Sequence, residues 1–315
     1  MRVDVHNLEK SFGNHRAVND LSFSIEPGRV TGFLGPNGSG KSTTMRLMLG
    51  LDAGSGTTLF DGLPLAKHKP VTRVVGAHLD AKFFHPQRPA RSHLRMLGAE
   101  AGISDARVDE VLELVGLSGV ARKRPGGFSL GMGQRLGLAG AILAEPQVLM
   151  LDEPVNGLDP QSIQWMRDFL REYAAQGRSV FVSSHLLSEM ELLADDLVVI
   201  ARGSLIADES MSTFLARATN NTVLVRSPDV VRLASVLASR GVEATIAGEG
   251  SITVLNVTSD FVGEVAFQSG VQLSELVSQK ASLEDVFIGI TEGGQDYQVG
   301  GATPGADATD SQVTL

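Results

Sequence analysis

Residues 35–43 read Gly35-Pro36-Asn37-Gly38-Ser39-Gly40-Lys41-Ser42-Thr43 and follow the apolar run Val30-Thr31-Gly32-Phe33-Leu34. A turn of the pattern G-x-x-x-x-G-K-[ST], set directly after a strand and before a helix, leaves the chain few ways to fold around it. Its glycines let the backbone wrap closely round phosphates with its N–H donors turned inward, and the helix starting near Lys41 adds the positive end of its dipole. In this pattern Lys41 reaches the β- and γ-phosphates of a nucleotide and the Ser42 hydroxyl faces Mg²⁺. A tight turn without a ligand would account for the glycines but not for the Lys-Ser pair that closes the loop.

The run Val148-Leu149-Met150-Leu151 is continuously apolar and preceded by Glu145-Pro146, the pattern of a strand buried on both faces of a parallel sheet. It ends in Asp152-Glu153. An acidic pair after a core strand can be no more than a solvated strand end. Downstream of a phosphate-binding loop it offers a role for each carboxylate, Asp152 on the Mg²⁺ side and Glu153 as the base that polarises the attacking water.

Between these segments lies Phe128-Ser129-Leu130-Gly131-Met132-Gly133-Gln134-Arg135, and beyond them come Asn156-Gly157-Leu158-Asp159 and Ser183-Ser184-His185, the last after Val180-Phe181-Val182. Taken singly, a Ser-Gly segment reads as a helix cap and a histidine after a strand reads as structural. In this fixed order the motifs resemble the nucleotide-binding subunit of ATP-binding cassette (ABC) transporters, over about residues 1 to 290. Ser129 and Gly131 match the family signature usually written LSGGQ; Phe128, Leu130 and Met132 depart from it. The resemblance implies ATP and Mg²⁺ as cofactors and a homodimer that sandwiches them. It implies that Ser129 and Gly131 grip the γ-phosphate held by the opposite subunit, that the segment ending at Asp159 crosses the dimer interface, and that His185 contacts the γ-phosphate. It sets the Phe12 ring, within Lys10-Ser11-Phe12-Gly13, against adenine, with Val18 lining the same face. It also places Asp80, in Val75-Gly76-Ala77-His78-Leu79-Asp80, where most of the family has Gln. A carboxylate there reaches Mg²⁺ through water or stays outside its shell until the subunits close; the bland alternative is an exposed loop acid.

Alternating apolar runs and helical segments indicate a parallel α/β core. Strands are expected at Arg2–Leu8, Ser22–Ile25, Val30–Leu34, Val74–His78, Val148–Leu151, Ser179–Val182, Leu197–Ala201 and Ser204–Asp208. Between about residues 86 and 144 the pattern turns helical, with Ala90–Ala101, Ser104–Val115 and Arg135–Ala144 as the main pieces, where the family inserts its helical subdomain. The expected fold is thus α/β, a P-loop NTPase core with an antiparallel β subdomain and a helical subdomain over residues 1–217, followed by a small α+β C-terminal domain over 218–291. In the second region strands are expected at Thr222–Val225 and Ile252–Leu255 and helices near Val230–Ser239 and Ser282–Ile290. The ending Ser282-Leu283-Glu284-Asp285-Val286-Phe287 resembles the C-terminal extension of drug- and lantibiotic-export cassettes. Residues 292–315, rich in Gly, Asp, Thr and Ala, read as a disordered tail.

Composition narrows the partners. With 43% hydrophobic residues over 315 positions the chain can bury a large core, yet no apolar run approaches the roughly 20 residues that span a bilayer, and Met1-Arg2-Val3-Asp4 does not open a signal peptide. The absence of cysteine excludes disulfides and thiolate metal sites. A net charge of −9 opposes a general nucleic-acid surface, although Glu292, Asp296, Asp307 and Asp310 of the tail contribute to it, and Arg122-Lys123-Arg124 reads as a solvated face. The expectation is an ATPase on the cytoplasmic face of the membrane that energises a multi-spanning membrane permease on a separate chain, for export of a drug, peptide or lipid-like substrate, with no nucleic acid. The bacitracin/daunorubicin-type exporters are the subgroup it resembles. A soluble cassette ATPase acting on ribosomes or nucleic acid is the alternative reading.

Overall fold

The structure is a computed structural model and describes residues 1–80, 84–218, 221–248, 250–254 and 257–280. In chain order it contains β1 (Val3–Phe12), β2 (His15–Ile25), β3 (Val30–Leu34), α1 (Lys41–Met48), β4 (Ser55–Phe60), β5 (Leu63–Pro64) and β6 (Val75–His78). Then follow α2 (Ala90–Ala99), α3 (Asp105–Leu114), α4 (Leu130–Ile142), β7 (Val148–Asp152), α5 (Pro160–Ala175), β8 (Ser179–Ser184) and α6 (Leu187–Glu191). The remainder comprises β9 (Asp196–Ala201), β10 (Ser204–Ser210), α7 (Met211–Ala218), β11 (Asn221–Arg226), α8 (Val230–Ser239), β12 (Ala244–Gly248), β13 (Ser251–Val254), α9 (Ser259–Gln268) and β14 (Glu275–Lys280).

A six-stranded sheet of order β10-β9-β3-β8-β7-β6 forms the centre, parallel throughout except for the β9–β10 pair. β3 and β8 are buried at every residue, and β7 at all but Asp152. Alternate side chains of these strands leave to opposite faces, as the two-residue period of a strand requires. Val30, Leu34, Leu149, Leu151, Val180 and Val182 enter one cluster with the apolar faces of α2 to α7, while Phe33, Val148, Met150 and Phe181 enter a second with β1, β2 and α1. Phe23, Phe33 and Phe181 stack in the second cluster, with Phe33 and Phe181 centroids 5.0 Å apart. Burial on both faces is what the uninterrupted apolar runs dictate.

A four-stranded antiparallel sheet, β2-β1-β4-β5, covers the second cluster. β4 and β5 are not foreseen in the sequence: within β4 only Phe60 is buried, so the run lacks the alternation that marks a half-buried strand. On the opposite face α4 starts at Leu130 rather than at Arg135. Its first turns hold Gly131, Gly133 and Gly137, which oppose helix formation locally; the Ser129 side chain caps them by accepting from Met132 N at 3.3 Å, and burial of Leu136, Leu138 and Ala139 stabilises the rest.

Residues from Asn221 onward build a third sheet, β12-β13-β11-β14, entirely antiparallel. Its inward residues Val223, Val225, Ile252 and Val254 join Leu233 and Leu237 of α8 and Val262 and Val265 of α9 in a third cluster. The helix at Val230–Ser239 lies where the sequence places it, whereas β12, α9 and β14 are additional. The expected helix at 282–290, its ending at Phe287 and the tail with Glu292, Asp296, Asp307 and Asp310 lie outside the described residues.

The third cluster contains no residue of the first 218, and the other two contain none beyond Leu215. A chain ending at Ala218 is therefore expected to fold and to bind ATP with the affinity of the whole protein. Calorimetric titration and a cooperative thermal melt check this; an unfolded or nucleotide-blind truncation would make residues 221–280 part of the main fold.

Candidate nucleotide-binding and hydrolysis site

β3, β6, β7 and β8 run parallel, so their carboxyl ends share one edge, the edge at which parallel sheets take their ligands. The loop Gly35–Gly40 leaves β3 there and enters α1. Gly40 has φ 104° and sits so close to the Ala17 carbonyl that no Cβ fits. It is the N-cap of α1, and Thr44 N donates back to Gly40 O at 2.8 Å. Pro36 and Thr43 are half-buried, Asn37, Gly38 and Ser42 exposed, and Gly35 and Ser39 buried. Ser39 Oγ has no hydrogen-bond partner within the protein.

Lys41 is only 6% exposed. Its Nζ donates to Gly35 O at 2.7 Å and to Pro36 O at 3.3 Å, and stands 3.4 Å from Glu153 Oε1. Burial pulls its pKa below the usual lysine range, opposed by the charges of Glu153 and Asp152. Ser42 Oγ donates to Asp152 Oδ2 at 2.5 Å, and Ser183 Oγ donates to Asp152 Oδ1. Ser183 Oγ also accepts from Glu153 N at 2.9 Å, so one hydroxyl on β8 positions both acids at the end of β7.

Glu153 occupies left-handed backbone, φ 48°. Its Oε2 accepts from His185 Nδ1 at 2.9 Å while Oε1 faces Lys41, so a single carboxylate spans the cation of the phosphate loop and the histidine that follows β8. Four residues beyond His185, the half-buried carboxyl of Glu189 is pushed up by burial and by the charge of Glu153. Beside this constellation opens a cleft of about 600 Å³ that Ser42, Arg46, Asp80, Asp152, Glu153 and Asn156 help to line. Asp80 thus lies on the same cleft as Ser42 and Asp152, exposed beyond β6.

The residues fit ATP with a hard divalent cation. The glycine-rich loop wraps a buried lysine, and the groups on the cleft beside it that suit a metal, Ser42 Oγ, Asp152 and Asp80, all offer oxygen. Mg²⁺ takes few protein ligands and completes its shell with phosphate oxygens and water.

Other expected residues lie apart from this centre. Ser129 is exposed as the cap of α4, followed by half-buried Gly131. Asp159 is the exposed N-cap of α5, accepting from Ser162 N at 2.9 Å and from Ser162 Oγ at 3.0 Å, bonds that hold its pKa down. Phe12 is 53% exposed at the end of β1, its ring 4.9 Å from Lys10 Nζ, an open aromatic face on which an adenine can stack. Val18 differs from expectation. It is 0% exposed within the second cluster, opposite Lys10, and offers no surface for a base. The β1–β2 register is irregular at this point and turns its side chain inward.

Sequence reasoning passed over three contributors. Ser183 was visible only as a neighbour of His185; nothing in the chain order reveals that it anchors both acids. Arg135 joins α4 to α5, its Nη2 donating to Ser162 Oγ at 3.2 Å and its guanidinium 4.7 Å from the Trp165 ring. Leu130, a departure from the signature, lines the cleft together with Gly157.

A glycine-rich loop over a buried lysine, with an acidic pair and a histidine at neighbouring strand ends, defines a P-loop nucleoside triphosphatase. The sequence profile described as "ABC transporter" matches residues 18–156, and one described as a domain of unknown function matches residues 221–284. The chain is 35% identical over 308 residues to the uncharacterized ABC transporter ATP-binding protein YhcH of Bacillus subtilis (strain 168), covering 92% of this chain and 95% of that one. It is 34% identical over 301 residues to the bacitracin transport ATP-binding protein BcrA of Bacillus licheniformis, covering 93% and 98%. A solved structure described as the ATP binding subunit of an ABC transporter aligns with TM-score 0.63 and 25% identity, over 69% of this chain and 93% of that one. The chain belongs to the ABC transporter family. It is an ATP-binding subunit whose ATP hydrolysis is coupled to transport, and no described helix is long and apolar enough to cross a membrane.

The double role of the Ser183 hydroxyl gives a direct expectation. Ser183→Ala should leave ATP affinity intact and reduce turnover by about 10- to 100-fold, as loss of a supporting hydrogen bond around a metal ligand does. Steady-state ATPase rates beside equilibrium binding decide it, and unaltered turnover would remove Ser183 from the support of the acids.

Proposed function

We propose that two copies of this chain close head to tail around two ATP·Mg²⁺, and that this cycle drives a separate multi-spanning permease to export a drug, peptide or lipid-like cargo from the cytoplasmic face of the membrane. The observation that supports the reading is the position of Glu153 between Lys41 of the phosphate loop and His185. The curated relative named for bacitracin transport supports the class of cargo.

In this reading the loop of residues 35–43 and Lys41 Nζ bind the phosphates, Lys41 exchanging its carbonyl partners for phosphate oxygens. Ser42 and Asp152 would hold Mg²⁺, with Asp80 on the same cleft either assisting through water or joining only on closure; the ion would offset charge on the phosphate oxygens. Glu153, freed from Lys41, orients and polarises water, and His185, held to Glu153 through Nδ1, contacts the γ-phosphate. Phe12 stacks on adenine. Ser129 and Gly131 at the start of α4 contribute to the γ-phosphate grip on the opposite copy, and Asp159 lies at the crossing between the two. Closure then depends on the γ-phosphate, and its loss permits reopening.

Glu153→Gln keeps the shape of the side chain but not its ability to accept a proton. It should retain ATP binding, lose turnover by about 10²- to 10⁴-fold, and accumulate as a dimer with ATP and Mg²⁺. Light scattering that finds only monomer in a variant still binding ATP would remove the shared site. Lys41→Ala should instead weaken nucleotide affinity itself. Asp80→Ala should impair permease-stimulated turnover more than ATP binding, with Asp80→Gln keeping part of the stimulation; equal stimulation in the Ala variant and the parent would reduce Asp80 to a loop acid.

A further inference from the structure

Two parts of the proposed shared site sit on different elements, Asp80 just beyond β6 and Ser129 to Gly131 at the start of α4, and the two elements touch with almost no space between them. Gly76 of β6 lies so close to the Ala141 carbonyl of α4 that a Cβ would overlap it. One turn earlier along the helix Gly137 faces the His78 ring, and a Cβ there would fall among the ring atoms. These two missing side chains bring helix and strand together. Their relative rotation is set by a directional contact, His78 Nε2 to Gln134 Oε1 at 2.7 Å, between side chains only 3% and 4% exposed.

A pair kept for packing alone would be apolar, because burying an imidazole and an amide costs free energy that a Leu–Leu pair does not. Here the cost is larger still, since His78 Nδ1 is buried without a hydrogen-bond partner. What such a bond adds is direction: it fixes which face of α4 meets β6, and Gln134 lies little more than one helical turn from the Ser129 cap.

We propose that His78 and Gln134 are positioning residues which, through their buried hydrogen bond, set the Ser129–Gly131 segment relative to Asp80 and the sheet, so that the grip on the opposite copy's nucleotide depends on a buried contact whose Gln134 also lines this copy's own cleft. The inference rests on the shared-site reading. A shift at the Asp80 end of β6 reaches the cap of α4 through this bond, which gives the two copies a route by which events at the metal side are felt at the signature segment.

The test uses the full chain carrying Glu153→Gln, with ATP and Mg²⁺, and reads ATP-dependent dimerisation by sedimentation beside the ATP affinity of dilute monomer. Three further changes are compared in that background. His78→Gln sets an amide nitrogen near the place of Nε2 and keeps a donor; His78→Leu fills the space without one; His78→Leu/Gln134→Leu removes both polar groups and leaves none orphaned, which secures a folded variant if His78→Leu alone does not fold. The expected result is that the Leu variants dimerise about tenfold more weakly, that His78→Gln stays close to the parent, and that monomer affinity for ATP is the same in all. Dimerisation of the double-Leu variant equal to the parent, or equal impairment of the Gln and Leu variants in step with their melting temperatures, would overturn the proposal. A parent that binds ATP without dimerising would overturn the shared-site reading instead.

Discussion

Burial of β3, β7 and β8 on both faces is the constraint on which the other parts depend. A strand that is apolar at every position needs a hydrophobic layer above and below, and the chain supplies two unlike ones, α2 to α7 on one side and the β2-β1-β4-β5 sheet with α1 on the other. The apolar runs stop abruptly at Leu34 and Leu151, where the strands emerge between the layers. Polar chemistry begins at that edge because the core ends there: Gly35 follows one strand, Asp152 ends another and His185 follows a third.

This arrangement explains why the proposed catalytic groups are close without being held by loops alone. Asp152 is paired with Ser183 across adjacent strands in register, so the spacing of the acids from β8 is set by the sheet's own hydrogen-bond ladder. Lys41 is held from the other side by carbonyls of its own loop. In the proposed mechanism this restraint from both sides lowers the ordering cost of binding.

How much of this is legible in the sequence depends on whether a feature is local. The phosphate loop, the strand before it and the acidic pair are each contained in a few consecutive residues, and their structure follows the chain order. β4 is illegible because it is solvated over most of its length and held by main-chain pairing to β1. The first turns of α4 are illegible because Gly131, Gly133 and Gly137 oppose a helix locally, and Gly137 serves a contact with His78 of β6, a demand made by a residue far away in sequence. Val18 shows the same limit in reverse: its place in a motif says nothing of which way an irregular strand turns it. Ser183 as an anchor of two acids, and His78 against Gln134, depend on strands and helices brought together by the sheet, and no spacing rule contains them.

One feature of Glu153 bears on how the protein can change. Its left-handed backbone costs a residue with a Cβ about 1–2 kcal/mol relative to ordinary helical geometry. Glycine would adopt that conformation freely, so the position at which the proposed mechanism places its carboxylate is one where the backbone alone favours having no side chain. Removing the side chain would relieve that strain but leave the buried Lys41 without its anionic neighbour, so the two effects on stability oppose each other. In the proposed mechanism the carboxylate is thus held by its chemistry and its neighbours against the preference of the backbone that carries it.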